Sequence, residues 1–417
     1  MPFTPPTVNV ATTMDGTYTT IAGIQNLQFN RGRQRYSDPF ASSNLTIEML
    51  APTNDALIPT VGNYIDIRAT NSSASEAYFV GKVTDVLRQY DIPYTSATNS
   101  APGDRIYITV RGALGLIGQY ETSGVGVFQA LPTRSILSLF DNFCGVLFNT
   151  KVEYIGNRFQ WPVLLFEAQF VTFSGSGLDT LNQLARTSPY YFSDYDNERV
   201  VTVADPSLGG INPGYGPRDF MVGLRDAGLS EVSASNFTFS DTGSIKYDGI
   251  EFLTGNQNNY SFVLVSTGNN LFDDLPTGDP IPNPIPLNGG YYDNSFAPYT
   301  TLLWTTNSME TDWSNDLAAI VYNRTTKPTI GPFSITTTTA VDSTALNMAL
   351  MNTHFLGETG SITFRGTTYK VSLEGVEVSM TPDQARVTCY FSPFPGDFFI
   401  LDSASNGVLD TNRLGYP

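Results

Sequence analysis

Arg31, Arg33 and Arg35 place three guanidinium groups within five residues, around Gly32. On an alternating strand every second residue points to the same face, so the three could converge on one acidic partner. Two chemistries fit such a cluster. It could be a phosphate or nucleic-acid patch, or it could form salt bridges with acids on neighbouring strands or subunits. The charge of the whole chain favours the second. It has 22 basic and 39 acidic side chains and a net charge of -17. Tight nucleic-acid binding comes from basic groups that release phosphate counterions, and no further basic residues surround the cluster.

The other candidates for chemistry are thinner. His354 is the only histidine and falls in an expected helix with no nucleophile motif nearby. It reads as structural, and a metalloenzyme built on histidines is excluded. No spacing among the 39 carboxylates singles out the paired acids of a glycosidase. The run Asp194-Tyr195-Asp196-Asn197-Glu198 hints at a calcium loop, but an EF-hand needs glycine at its sixth position and Arg199 stands there. Asn269, Asn270, Asp273 and Asp274 could hold calcium, although a solvated acidic turn fits them better. No nucleotide loop or metal-ligand cluster is present. The expectation is a non-enzyme with no catalytic, cofactor-binding or metal-binding residue and no cofactor. Trp161, Trp304 and Trp313 suit sugar stacking and carry the alternative of a glycan-binding adhesin. Cys144 and Cys389 lack CxxC spacing and read as free buried thiols.

Around these residues the chain reads mostly as strands. Stretches 25–30, 44–50, 64–69, 77–88 and 105–112 are short, alternating or β-branched, and separated by turn residues. Within the third, Ile65 and Ile67 fall on one face while Asp66 and Arg68 fall on the other. Helix signals follow. Thr133 can cap a helix through Ile136, Leu137, Phe140 and Phe143 that ends at Gly145. A second helix starts near Ser176, with the stripe Leu178, Leu181, Leu184 and Ala185 and with Asp179 at its positive end. A strand is expected at 199–203. Strands resume near Phe237, with 260–265 the clearest, and again at 361–364, 368–378 and 385–391. Short helices are expected at 314–323 and 343–356. The tract 268–298 is rich in Pro, Gly, Asn and Asp and reads as an extended arm or a large loop.

Charged residues make up only 15% of the chain, below the roughly 25% usual for globular domains. Thr, Ser, Asn, Gly and the 22 tyrosines must cover the surface, which suits wide, largely uncharged protein contacts. The acidity would repel DNA from a channel wall, or would simply keep the folded chain in solution. The start, MPFTPPTVNVATTMDG, lacks the basic beginning and apolar core of a signal peptide. No window approaches the ~20 apolar residues of a membrane helix, so stable membrane insertion is not expected. The sequons at Asn44, Asn71, Asn236, Asn259 and Asn323 follow from the abundance of Asn, Ser and Thr.

Three ordered stretches resemble a family of phage minor tail proteins, the hub-like proteins of tail tips and baseplates. The first is Arg31-Gly32-Arg33 with Asp38-Pro39-Phe40, continuing to Phe79-Val80-Gly81-Lys82-Val83. The second is the helix Leu178 to Ala185, followed by Phe192 and Asp194. The third is Tyr369-Lys370-Val371 through Met380-Thr381-Pro382, closing with Leu401-Asp402, Leu409-Asp410 and Gly415-Tyr416. The turn Ala51-Pro52-Thr53-Asn54-Asp55 and the tract 268–298 depart from that pattern. The resemblance implies a β-rich α+β fold, with two β-barrel-like domains flanking a small helical α/β insert. The divisions expected are 1–120, 121–235, 236–398 and a C-terminal tail at 399–417. It also implies a structural virion protein that rings the tail channel and joins the tail tube to distal tail, fibre or tip proteins. Such a protein would be a homo-oligomer, a trimer before a hexamer, assembled in the host cytoplasm. DNA would pass through without specific binding.

Overall fold

The computed structural model describes residues 5–52, 54–68, 77–90, 104–121, 127–132, 150–154, 168–172, 175–187, 190–196, 220–226, 237–243, 247–253, 262–267, 289–292, 301–306, 317–318, 321, 324–325, 329–337, 356–357, 359–393, 398–399 and 413–414. The N-terminal strands are β1 Thr7–Ala11, β2 Thr19–Thr20, β3 Ile24–Gly32, β4 Asn44–Leu50, β5 Tyr64–Arg68, β6 Ala77–Gln89 and β7 Arg105–Arg111, followed by the short helix α1 Ala113–Ile117. The middle of the chain holds β8 Val127–Pro132, β9 Thr150–Tyr154, β10 Ala168–Thr172, the helix α2 Gly177–Thr187, β11 Tyr190–Asp196 and β12 Phe220–Asp226. Then come β13 Phe237–Ser240, β14 Gly249–Leu253, β15 Phe262–Thr267, β16 Gly289–Tyr292, β17 Thr301–Thr306, β18 Thr329–Thr337, β19 Thr359–Phe364, β20 Thr367–Met380, β21 Ala385–Pro393, β22 Phe398–Phe399 and β23 Arg413–Leu414.

The architecture is β-rich with few helices, built on a single mixed sheet of 13 strands. Its main order is β14-β18-β21-β20-β3-β4-β7-β6-β5-β1-β2, and β19 pairs with β20 and, in parallel, with β13. Four small sheets of two or three strands accompany it. The decisive pairing is antiparallel β20 against β3, with Met380 opposite Leu27 and Gly375 opposite Gly32. It joins the two ends of the chain in one sheet.

Alternation explains the register. In β4 the residues Leu45, Ile47 and Met49 are buried, and they lie opposite Val110, Ile108 and Ile106 of β7. In β20 and β21 the same holds for Val376, Val378, Val387 and Cys389. A one-residue slip would turn each set outward, and each large aliphatic side chain buried contributes about 1.5–3 kcal/mol. Strands β3 to β7 and the strands at 359–364, 367–380 and 385–393 occur where their alternation places them. β18 was not foreseen, because Gly331-Pro332 interrupts its pattern. A register shift between Ile250 and Phe252 of the paired β14 accommodates the proline. The expected helix near Ser176 is α2, and helical backbone is found at Leu317, Ala318, Val321, Arg324 and Thr325. Within the tract 268–298 there is one described strand, β16. The expected helix at 133–145 and most of that at 343–356, with the strand at 199–203, lie outside the described residues. Among the described residues no helix is long and apolar enough to cross a membrane.

Candidate functional site: a buried ionic junction

The three arginines do not share a face. Gly32 ends β3 at φ +74, a left-handed conformation open to glycine at little cost, and it breaks the alternation. Arg31 and Arg33 are buried on either side of it, while Arg35 is exposed. The expectation of one converging basic face is corrected by this single backbone feature. The turn is also tight. A Cβ on Gly32 would sit 2.3 Å from the carbonyl oxygen of Glu374, and one on Gly375 would sit 2.3 Å from that of Arg33.

On the facing strand, β20 carries a register shift between Leu373 and Gly375. Such a bulge re-aims a side chain, and here Val371 to Val376 are all buried, Glu374 with them. Arg33 Nε–H donates to Glu374 Oε2 at 2.8 Å, and the Ser392 hydroxyl donates to Glu374 Oε1. Arg324 Nη1 donates to Ser372 Oγ at 2.7 Å and to Ser392 Oγ at 3.2 Å. Two arginines, a carboxylate and two hydroxyls thus form one buried network. Aromatic rings close over it. The Arg33 guanidinium lies 4.5 Å from the ring centres of both Tyr36 and Phe40, and Arg31 lies 5.2 Å from that of Phe79. Such stacking suits the planar guanidinium.

The loop after Arg33 ties in the rest of the chain. Asp38 Oδ2 accepts from the Arg35 N–H at 3.1 Å, and the Ala41 N–H donates to Gly32 O at 3.0 Å, closing the loop. Asn182 of α2 bonds both backbone groups of Phe40, accepting from its N–H at 2.8 Å and donating to its carbonyl at 3.2 Å. Tyr36 stacks on Trp304 of β17 with ring centres 6.0 Å apart, and Trp304 Nε1–H donates to Arg186 O at 2.7 Å. The start of α2 is fixed by a capping box. Asp179 N–H donates to Ser176 Oγ at 3.2 Å, and Ser176 N–H returns a bond to Asp179 Oδ2 at 2.9 Å.

A second buried carboxylate staples the other side of the sheet. Asp66 is fully buried and accepts from Asn9 Nδ2 at 2.8 Å and from Arg68 Nε at 2.7 Å. The split between Ile65/Ile67 and Asp66/Arg68 holds, yet the Asp66 face is covered as well. Cys389 is a free buried thiol pushed up to about 12 by burial, so it is protonated and unreactive at neutral pH.

This arrangement holds elements together; it does not present a reactive group. Glu374 and Asp66 are each engaged by a guanidinium and a second polar side chain. Among the described residues, clefts open elsewhere. One, of about 290 Å³, includes Ile21, Met49 and Ile58. Another, of about 560 Å³, runs over the polar sheet face at Gln28, Thr46 and Glu377. Neither includes a residue of the network. Among the described residues no group of three or more His, Cys, Asp or Glu could hold a metal ion. Trp304 is buried against Tyr36, so it is no sugar platform. Asp194 and Asp196 lie in β11, paired with Val222 and Phe220. His354, Cys144, Trp161, Trp313, Asn269, Asn270, Asp273 and Asp274 lie outside the described residues. Sequence reasoning missed Glu374, Ser372, Ser392 and Arg324. The available signal was an acid followed by glycine inside the apolar run Val371 to Val378.

No family model matches the sequence, and no curated protein matches it. Solved structures do match in fold. A tail protein from Neisseria meningitidis MC58 is 10% identical with a TM-score of 0.55, over 93% of this chain and 96% of that one. The 43 kDa tail protein of prophage MuSo2 from Shewanella oneidensis is 11% identical with a TM-score of 0.52, over 94% of this chain and 99% of that one. The prophage tail protein gp18 from Listeria monocytogenes EGD-e is 8% identical with a TM-score of 0.51, over 92% and 94%. The buried junction therefore belongs to a chain with the fold of prophage tail proteins.

Proposed function

We propose that this chain is a structural, non-enzymatic component of a phage tail tip or baseplate. It forms a hub-like ring around the tail channel and joins the tail tube to distal tail, fibre or tip proteins. Residues 1–120 and 236–398 are its two tube-like units, 121–235 the insert and 399–417 a tail. A trimer is favoured over a hexamer, assembled in the host cytoplasm and resident in the virion tail. The observation that carries the reading is the end-to-end match with prophage tail proteins, over nine-tenths or more of both chains. The net charge of -17 agrees with a wall that DNA passes without binding. The adhesin alternative keeps only Trp161 and Trp313 as platforms, since Trp304 is packed inside. Particle-averaged imaging of the tail tip tests the reading. Three or six copies around the axis are expected, and a tail tip without the chain would sink it.

A further inference from the structure

Among the described residues, the large apolar side chains that remain exposed are Leu50, Leu57, Val61, Leu87 and Tyr90. They gather at one corner of the sheet. Arg88 Nη1 lies 3.4 Å from Asp55 Oδ2, which draws the 55–57 turn beside the end of β6. The Gly62 N–H donates to Val83 O at 2.9 Å and lays Val61 along the same strand. Leu50 pairs with Arg105, which pairs in turn with Gln89, next to Tyr90. Leu87 and Tyr90 are 64% and 61% exposed, enough to act as projecting knobs. At the same corner lies the cleft of about 290 Å³, walled by Val10, Thr19, Ile21, Met49, Leu57 and Ile58. A cavity of about 150 Å³ takes a benzene ring, so this one has room for both knobs.

We propose that this corner is a contact between copies of this chain, with Leu87 and Tyr90 of one copy entering the cleft of another. The inference rests on the ring reading and locates one of its contacts. A contact between identical chains must draw both its knob and its hole from one sequence, and both are present here. Charge points the same way. Chains of net charge -17 repel each other except where their surfaces are locally neutral. This corner is apolar and flanked by two ion pairs, Arg88 with Asp55 and Arg105 with Glu48. Clustered apolar surface of this kind marks an interaction site.

The test is sedimentation of the full-length chain across a concentration series, with two surface variants. The knob variant is Leu87→Asp with Tyr90→Asp, and the hole variant is Ala22→Trp, at an exposed residue on the rim of the cleft. Each variant alone is expected to associate at least ~tenfold more weakly than wild type, with its melting temperature unchanged. An equimolar mixture should recover association, because one variant keeps the hole and the other keeps the knobs; native mass spectrometry would show the mixed pair. Three outcomes overturn the proposal: a wild-type chain that stays monomeric throughout, variants that associate like wild type, or variants that self-associate but fail to join a tail. The last assigns the corner to a different tail protein. Copies still ringed about the axis with the knob variant in place would remove this contact and keep the ring. A tail lacking the chain altogether removes the ring reading itself.

Discussion

Two arginine–carboxylate pairs in this molecule are almost equally short and differ in everything else. Arg33 meets Glu374 at 2.8 Å and Arg105 meets Glu48 at 2.6 Å. The first joins residues 341 apart in sequence, with side chains 6% and 0% exposed. The second joins adjacent strands in an in-register ladder, with side chains 55% and 21% exposed. Backbone ladders run through both contacts, but at β4–β7 water screens the charges. At β3–β20 the charges are dry, and a third polar layer from Ser392, Ser372 and Arg324 supports them. A short distance therefore says little about what a pair does. Burial and the number of elements it joins say more.

The comparison breaks most sharply at Glu374. Truncation to alanine removes the carboxylate that Arg33 and Ser392 share. Losing one partner of a buried pair costs about 3–5 kcal/mol, a large part of the ~5–15 kcal/mol that holds a domain folded. The midpoint of urea unfolding should fall accordingly. Glu374→Gln, which keeps the shape and one acceptor, should lose less. The loop at Arg33 to Ala41 also anchors α2 through Asn182 and β17 through Trp304, so the loss should reach those elements. Hydrogen exchange at α2 should quicken in Glu374→Ala. An unchanged midpoint would mean that the sheet alone holds the two ends of the chain.

A middle-sized effect should appear at high pH, in the same strand as Ser392. Burial pushes Cys389 up to about 12, from 9.0. Burial, then the Glu377 carboxylate, pushes Tyr390 up to about 12, from 10.0. Both groups are neutral while protonated, and the folded chain holds their protons more tightly than the unfolded chain does. Their contribution is complete below about pH 9 and is lost as pH rises toward 12. Stability measured from pH 8 to pH 11 should therefore decline, and Cys389→Ala should flatten part of that decline. Tyr390 is only partly shielded from water, so the thiol should account for more of it.

How much of this could be read in the sequence follows from the range of each signal. Strand alternation is local, so β4 and β7 are legible from residues such as Leu45, Ile47, Ile106 and Ile108. The helix α2 is legible from Ser176, Asp179 and its leucine stripe. The arginine cluster was visible, but its geometry was not. Whether Arg31 and Arg33 share a face depends on φ at Gly32, which the close approach of Gly32 and Gly375 across β3 and β20 decides. Glu374 is hidden for a related reason. A polar residue in a strand reads as the wet face until a bulge turns it; this bulge lies in the pairing of β20 with β21, and the arginine that meets Glu374 stands 341 residues away. Trp304 read as a surface platform because nothing in its local sequence announces Tyr36. The signals that failed are the long-range ones.

The smallest effect belongs to the exposed pair, and it is the one that decides what the comparison means. Arg105 carries a guanidinium whose bonds to Tyr107 and Glu48 favour its charged form, yet it sits in water at the edge of a ladder already held by backbone bonds. Solvent competes for each of those bonds, and ordering two long side chains opposes them. Arg105→Ala should leave the unfolding midpoint within error of wild type, and so should Arg105→Ala combined with Glu48→Ala. If the exposed pair proved as costly to break as the buried one, burial would not be what distinguishes them, and the junction at Gly32 would lose its claim to join the two ends of the chain. If it proves silent, the 2.6 Å contact is a consequence of strand register, and the 2.8 Å contact is one of its causes.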